Sequence, residues 1–175
     1  MELLTLMEQR RSIRLFTSDP ISDENLDLIL KAGMLGPSAK GRAPYSFIVV
    51  KDPEMIKKLI SCRQGGAKML ETATCAIAIL GDTTLSDTCV EDCSVCITYM
   101  HLMASSLGVG SVWLQNRLRP SDEEGTSSED YVRSLLGFPK EQMLEATLVL
   151  GMPAQSPAPR DASAVPMEKV HYEKW

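Results

Sequence analysis

The chain has 175 residues, 44% of them apolar and 23% charged, with a formal net charge of −5. That length and composition suit one globular domain, residues 1–175, with a proper core, and exclude a disordered chain. The acidic balance excludes a general nucleic-acid binder, no apolar run reaches membrane-spanning length, and MELLTLMEQRR lacks the basic start of a secretory signal.

Residues 2–10 predict a first helix with Leu3, Leu4, Leu6 and Met7 as its apolar positions. Ser22 is a good N-cap ahead of Asp23 and Glu24, and the helix it starts carries Leu26, Ile29 and Leu30 and stops near Gly36-Pro37. After the loop GPSAKGRAPY, SFIVVK (46–51) is apolar enough for a central strand. Pro53 opens a helix running to about Ser61, and CAIAILGD (75–82) is a buried strand. Residues 87–107 form the longest helix. Its polar residues Glu91, Ser94, Thr98, His101 and Ser105 make one narrow stripe, so it is buried on most sides. SVWLQN (111–116) is strand-like, 117–129 a polar loop, 129–136 a short helix and ATLVLG (146–151) the last strand. Residues 154–175 read as an extended tail rich in proline and alanine. It ends in VHYEKW, with Val170, Tyr172 and Trp175 as candidate anchors. Helices and strands interleave irregularly, which is an α+β (mixed α/β) pattern.

The stretch QRRSIRLF (9–16) places three arginines in five positions of this acidic chain. If it were helical, Arg14 would sit beside Arg10 and Arg11 and be repelled by roughly 0.2–0.5 kcal/mol a pair. Cations at a helix C-terminus account for one or two of them. A phosphate site accounts for all three together with Ser12, through bidentate guanidinium contacts and a hydroxyl. Cys89, Cys93 and Cys96 have the spacing with which radical enzymes using S-adenosylmethionine hold an iron–sulfur cluster. They fall inside the long helix, on one face with Met100 and Met103, which favours core packing. With Cys62 and Cys75 they make an odd set, read as reduced thiols of a cytoplasmic protein. Gly108-Val109-Gly110 follows a helix and precedes a strand, the reverse of a dinucleotide fingerprint. His101 reads as a hydrogen-bonding structural histidine, and the paired carboxylates Glu91-Asp92 and Asp122-Glu123-Glu124 as solvent-facing. An anion site with so little acid–base equipment fits a protein whose cofactor carries the chemistry.

Four segments in order resemble the nitroreductase family of flavin enzymes. RRSIRLF resembles its flavin-phosphate motif R-x-S-x-R/K-x-F/Y, and GPSAKGRAPYSFIVV its P-S-x-x-N-x-Q-P-W-x-F-I-V-V loop and strand. SLGVGSVWL resembles the segment after its central helix, and LGMP with Arg160 and VHYEKW its C-terminal end. The resemblance covers nearly the whole chain and departs from the loop pattern at Gly41 for Asn, Ala43 for Gln and Tyr45 for Trp.

What the resemblance implies is specific. The fold would be a central, mostly antiparallel sheet flanked by helices, in an intertwined homodimer with FMN at the interface. Arg10, Ser12 and Arg14 would hold the FMN phosphate, with Arg11 beside them or on the ribityl chain and Arg160 reaching it from the tail. The loop Pro37, Ser38, Ala39 and Gly41 would reach the flavin of the second subunit. Leu114 and Gln115 would lie at its reactive edge, with a backbone N–H directed at N5. NADH or NADPH would reduce the flavin, and a nitroaromatic, quinone or similar electron-poor acceptor would then enter the same pocket in ping-pong order. No side chain is needed as nucleophile or base, and no metal, nucleic acid or membrane is implied. Lys40, Arg42 and Lys68 are either solvated charges or contacts for an anionic substrate or a nicotinamide nucleotide. A specialised flavin reductase or dehydrogenase with a non-nitro substrate, a non-catalytic flavin-binding or delivery protein, and the iron–sulfur protein remain as alternatives.

Overall fold

The computed structural model describes residues 2–175. Helices α1 (Leu3–Gln9) and α2 (Asp23–Met34) precede strand β1 (Tyr45–Val50) and helix α3 (Pro53–Leu59). Strand β2 (Cys75–Asp82), helix α4 (Cys89–Ser106), strand β3 (Gly110–Gln115), helix α5 (Ser128–Leu136) and strand β4 (Gln142–Gly151) follow. Local chemistry sets these starts and stops. Ser22, Asp52 and Ser127 accept from the backbone N–H groups of Asn25, Met55 and Asp130 at the starts of α2, α3 and α5. Gly137, at φ 71°, closes α5 in the left-handed region.

The sheet order is β1-β2-β4-β3, and all three pairings are antiparallel. Alternation along β2 feeds two cores. Ala76, Ala78 and Leu80 join the core under α3 and α5, while Cys75, Ile77 and Ile79 join the one under α2 and α4. Strand β4 starts four residues before the 146–151 segment that its pattern predicts. Its register against β2 shifts between Ile79 and Leu80, which pair with Ala146 and Leu144 and leave Glu145 as the extra residue of a bulge. The bulge switches the alternation: Leu144 faces one core, and Ala146, Leu148 and Leu150 face the other.

Helix α4 is buried along most of its length, as its composition requires, but Asp92 is only 4% exposed and corrects the solvent-facing reading of the Glu91-Asp92 pair. Helix α1 buries none of its residues and lies on α4 with Leu3, Leu4 and Met7 exposed. The candidate anchors Val170, Tyr172 and Trp175 likewise do not dock on their own chain. They stand exposed, with the Trp175 ring against that of His171. Among the described residues no helix is long and apolar enough to cross a membrane.

Candidate functional site

The arginine stretch is extended, not helical. Arg10, at φ −61° and ψ 111°, turns the chain out of α1. It then runs to the sheet, where the Ile13 N–H donates to the Ser111 carbonyl at 2.9 Å and Ser12 bridges Ser111. The far end of the chain returns along the same stretch. Phe16 bridges Pro153, Ala154 donates to the Leu15 carbonyl at 3.0 Å, and the Arg160 N–H donates to the Glu8 carbonyl at 2.9 Å. The Arg11 guanidinium donates to the Ala158 carbonyl, and the Ala162 N–H to the Glu8 carboxylate at 3.0 Å. This pairing gathers Arg10, Arg11 and Arg160.

The electrostatics of that group are one-sided. Burial, then the charges of Arg160 and Arg11, push the Arg10 guanidinium below its usual value. Among the described residues, none of the arginines 10, 11, 14 and 160 has a carboxylate within ion-pair distance. Arg11 and Ser111 line a cleft of about 380 Å³. Arg14, exposed one residue past the buried Ile13, lines another of about 430 Å³ with Lys68, Gly65 and Gly66. Behind the cluster, His101 Nδ1 and Ser111 Oγ are 2.8 Å apart in a hydrogen bond. Burial, and secondarily Arg10, push the imidazole down to about 4, so it is neutral near pH 7 and serves as a structural hydrogen-bonding partner.

The loop after α2 is held from beneath. Gly36 lies so close to α4 that a Cβ there would meet Val95 Cγ1 at 3.2 Å. The Ala39 N–H donates to Asp92 Oδ1 at 2.9 Å, and the Ala43 N–H to Ser38 Oγ at 2.9 Å. Lys40, Gly41 and Ala43 are left-handed at φ 54°, 66° and 44°. For the two non-glycines this costs on the order of 1 kcal/mol each. Pro37, Lys40, Gly41 and Arg42 remain exposed, while Ser38 and Ala39 are half-buried.

Strand β3 is a sheet edge, so it retains unpaired backbone groups beyond those bonded to β4 and Ile13. The Leu114 side chain is fully buried in the core and its backbone pairs with Thr147 of β4, so the backbone groups on the open edge here are those of Gln115. Gln115 is half-buried and fixed: it accepts from Trp113 Nε1 at 2.8 Å and donates to the Glu145 carbonyl and carboxylate at 3.2 and 3.3 Å. Glu145 Oε2 is buried without a hydrogen-bond partner, and burial raises the Glu145 carboxyl above its usual range.

Over its full length the chain is similar to known proteins. A provisionally named NADH dehydrogenase/NAD(P)H nitroreductase of Archaeoglobus fulgidus is 38% identical over 179 residues, 99% of each chain. This chain belongs to the nitroreductase family. The nitroreductase family model matches residues 7–62, which hold the arginine stretch, the exposed loop, β1 and α3. A relative of the same provisional name in Methanothermobacter thermautotrophicus is 34% identical over all of this chain and 88% of its own. A solved FMN-dependent nitroreductase of Clostridium difficile superposes with a TM-score of 0.94 at 34% identity, covering 98% of this chain and 99% of that one.

The three departures from the nitroreductase loop pattern have local explanations. Gly41 is left-handed with open space where a side chain would stand. Tyr45 sends its hydroxyl to the Met34 carbonyl at 3.0 Å and stacks on Phe47 at 5.7 Å, so it ties the loop to the end of α2. Ala43 adopts φ 44°, where a side chain beyond Cβ adds strain. Arg42 reaches back to the Leu85 carbonyl at 3.1 Å.

The helix cysteines pack in the core. Cys89 Sγ donates to the Asp82 carbonyl at 2.8 Å and Cys93 Sγ to the Leu80 carbonyl at 3.4 Å. Burial pushes every cysteine thiol up, Cys62 to about 11 and Cys75 and Cys96 to about 12, so none is a ready nucleophile. Sequence reasoning missed Asp92 and Glu145. Asp92 shares a helical face with Cys89, Cys93 and Cys96, a signal available in the spacing. Glu145 is buried by a bulge, which leaves no local signal.

Proposed function

We propose that the chain is an FMN-dependent oxidoreductase that uses NADH or NADPH to reduce nitroaromatics, quinones or similar electron-poor acceptors. The observation that carries this is the convergence of Arg10, Arg11 and Arg160 beside Ser12 with, among the described residues, no carboxylate within ion-pair distance. A cluster of like charges is costly alone and favourable around a phosphate dianion, and the FMN-dependent relative of known structure supports FMN as its source. In this reading Arg10, Ser12 and Arg14 hold the phosphate with Arg160, Arg11 lies beside them with its guanidinium on the Ala158 carbonyl, and Lys68 extends the cationic surface next to Arg14. The exposed loop Pro37, Ser38, Ala39 and Gly41 covers the flavin of a second subunit. The β3 edge at Leu114 and Gln115 lies against the ring, with one backbone N–H, that of Gln115, directed at it, where a fixed donor stabilises negative charge that develops there. When bound, FMN supplies the redox chemistry, accepting a hydride from the nicotinamide and passing the electrons to the acceptor in ping-pong order.

Residues 1–175 act as one FMN-binding domain with 154–175 as its arm, working as a homodimer in the cytoplasm. The dimer is supported by an apolar groove of about 420 Å³ between α1, α2 and α4, lined by Leu3, Met7, Leu35 and Tyr99, all exposed on the isolated chain. The exposed Val170, Tyr172 and Trp175 then pack on the partner.

The test is the visible spectrum of the purified protein, followed by anaerobic addition of NADH and NADPH. A two-band flavin spectrum that either nucleotide bleaches is the expected result. Flavin that is held without rapid reduction marks a delivery protein, and a protein that cannot take up FMN refutes the assignment.

A further inference from the structure

The buried Asp92 has no part in the phosphate site, yet it joins two segments that the fold could have left independent. Its Oδ1 accepts the Ala39 N–H of the exposed loop at 2.9 Å. Its Oδ2 accepts from the hydroxyls of Thr88 at 3.2 Å and Ser86 at 3.4 Å, residues just ahead of α4. Both oxygens are therefore used, and the carboxylate lies near the first turn of α4, where the helix dipole favours a negative charge. A buried carboxylate with a single link to a distant backbone amide fixes position more than it adds stability. What it fixes is a segment with three left-handed residues, Lys40, Gly41 and Ala43, whose outer side makes few contacts with its own chain. Without the Ala39 anchor, that strained segment has a ready route to relax.

Resting on the flavin reading above, we infer that Asp92 is a positioning residue that acts in trans: through Ala39 it sets the loop that closes on the flavin held by the partner's arginines. The loop and the arginines of one chain then serve different flavins. Each site in the dimer is built from one chain's arginine cluster and the other chain's Asp92-anchored loop.

Trans action makes a complementation test decisive. Asp92→Ala and Arg10→Ala are made separately, and each homodimer should bind FMN about tenfold to about a hundredfold more weakly, the scale of a hydrogen bond to a charged group. Co-expressed with different tags and purified as a heterodimer, the two variants should give one site of wild-type affinity per two chains. That site combines the intact arginines of one chain with the intact loop of the other. Asp92→Asn keeps an acceptor oxygen for Ala39 and should restore most of the affinity and the visible circular dichroism of bound FMN. If Asp92→Ala does not fold, Ala39→Pro carries the same test. It deletes the N–H from the loop side at the start of a short helical turn, after a Ser38 already extended at φ −131° and ψ 155°. An Asp92→Ala homodimer of wild-type affinity, or a heterodimer with no tight site, overturns the inference while leaving the flavin reading intact, whereas an Arg10→Ala homodimer of wild-type affinity counts against the arginine phosphate site itself. A wild-type chain that takes up no FMN overturns the flavin reading, and the inference with it.

Discussion

Replacing His101 by asparagine isolates one buried titration next to the arginine cluster. Asparagine places an amide near the position of Nδ1, so a hydrogen bond to Ser111 Oγ can persist while the titration disappears. His101 is 6% exposed, and burial, with a smaller part from Arg10, lowers its pKa from 6.5 to about 4. The sign follows from proton counting. Between those values the unfolded chain binds a proton that the folded chain refuses, so stability rises with pH across the window and is lost as pH falls through it. The loss is about 2 kcal/mol near pH 5 and about 3 kcal/mol near pH 4. For a chain of this size the first figure corresponds to ~4–8 °C in Tm. The assay is thermal or urea unfolding of both proteins from about pH 7 to about pH 4. The expected result is a wild-type stability that falls more steeply below about pH 6.5 than that of His101→Asn, whatever constant offset the substitution brings. Parallel curves would refute the argument, since they would mean that His101 is solvated or charged in the folded chain. Bound FMN should offset only the smaller contribution, from Arg10, and leave the effect of burial in place.

Arg14→Ala should weaken FMN binding by ~1.5–3 kcal/mol, the scale of a charged hydrogen bond, and unchanged flavin occupancy after dialysis would count against its role. Arg10→Ala should cost at least as much, because Arg10 is half-buried where Arg14 is exposed; equilibrium titration with FMN measures both. Deleting residues 154–175 removes Arg160 and the pairing with Glu8 and Leu15, and should lower both flavin retention and dimer stability. A truncated protein that stays dimeric and fully loaded on gel filtration would refute that. Burial raises the Glu145 carboxyl above its usual 4.5, so the folded chain holds the extra proton and stability falls as pH rises past about 4.5. Glu145→Gln should therefore raise Tm at neutral pH and have little effect near pH 4; equal shifts at both would show that charge is not the cause.

Wherever the cause was local, the sequence by itself determined the outcome. Ser22 caps α2, the apolar run 75–82 is the inner strand β2, and the near-continuous apolar surface of 87–107 made α4 central and its cysteines core residues. The arginine stretch stands out in the sequence as a candidate anion site because three like charges beside Ser12 in an acidic chain are favourable around an anion. Tertiary structure decided the rest. It placed Arg160 next to Arg10, 150 positions away in sequence, through the backbone pairing of the tail with residues 8–17. It turned Asp92 inward to meet Ala39 and started β4 at Gln142 behind the Glu145 bulge. Each of these depends on a backbone partner from a distant segment. A side-chain pattern records which face of its own element a residue occupies, but not which remote amide or carbonyl will meet it there.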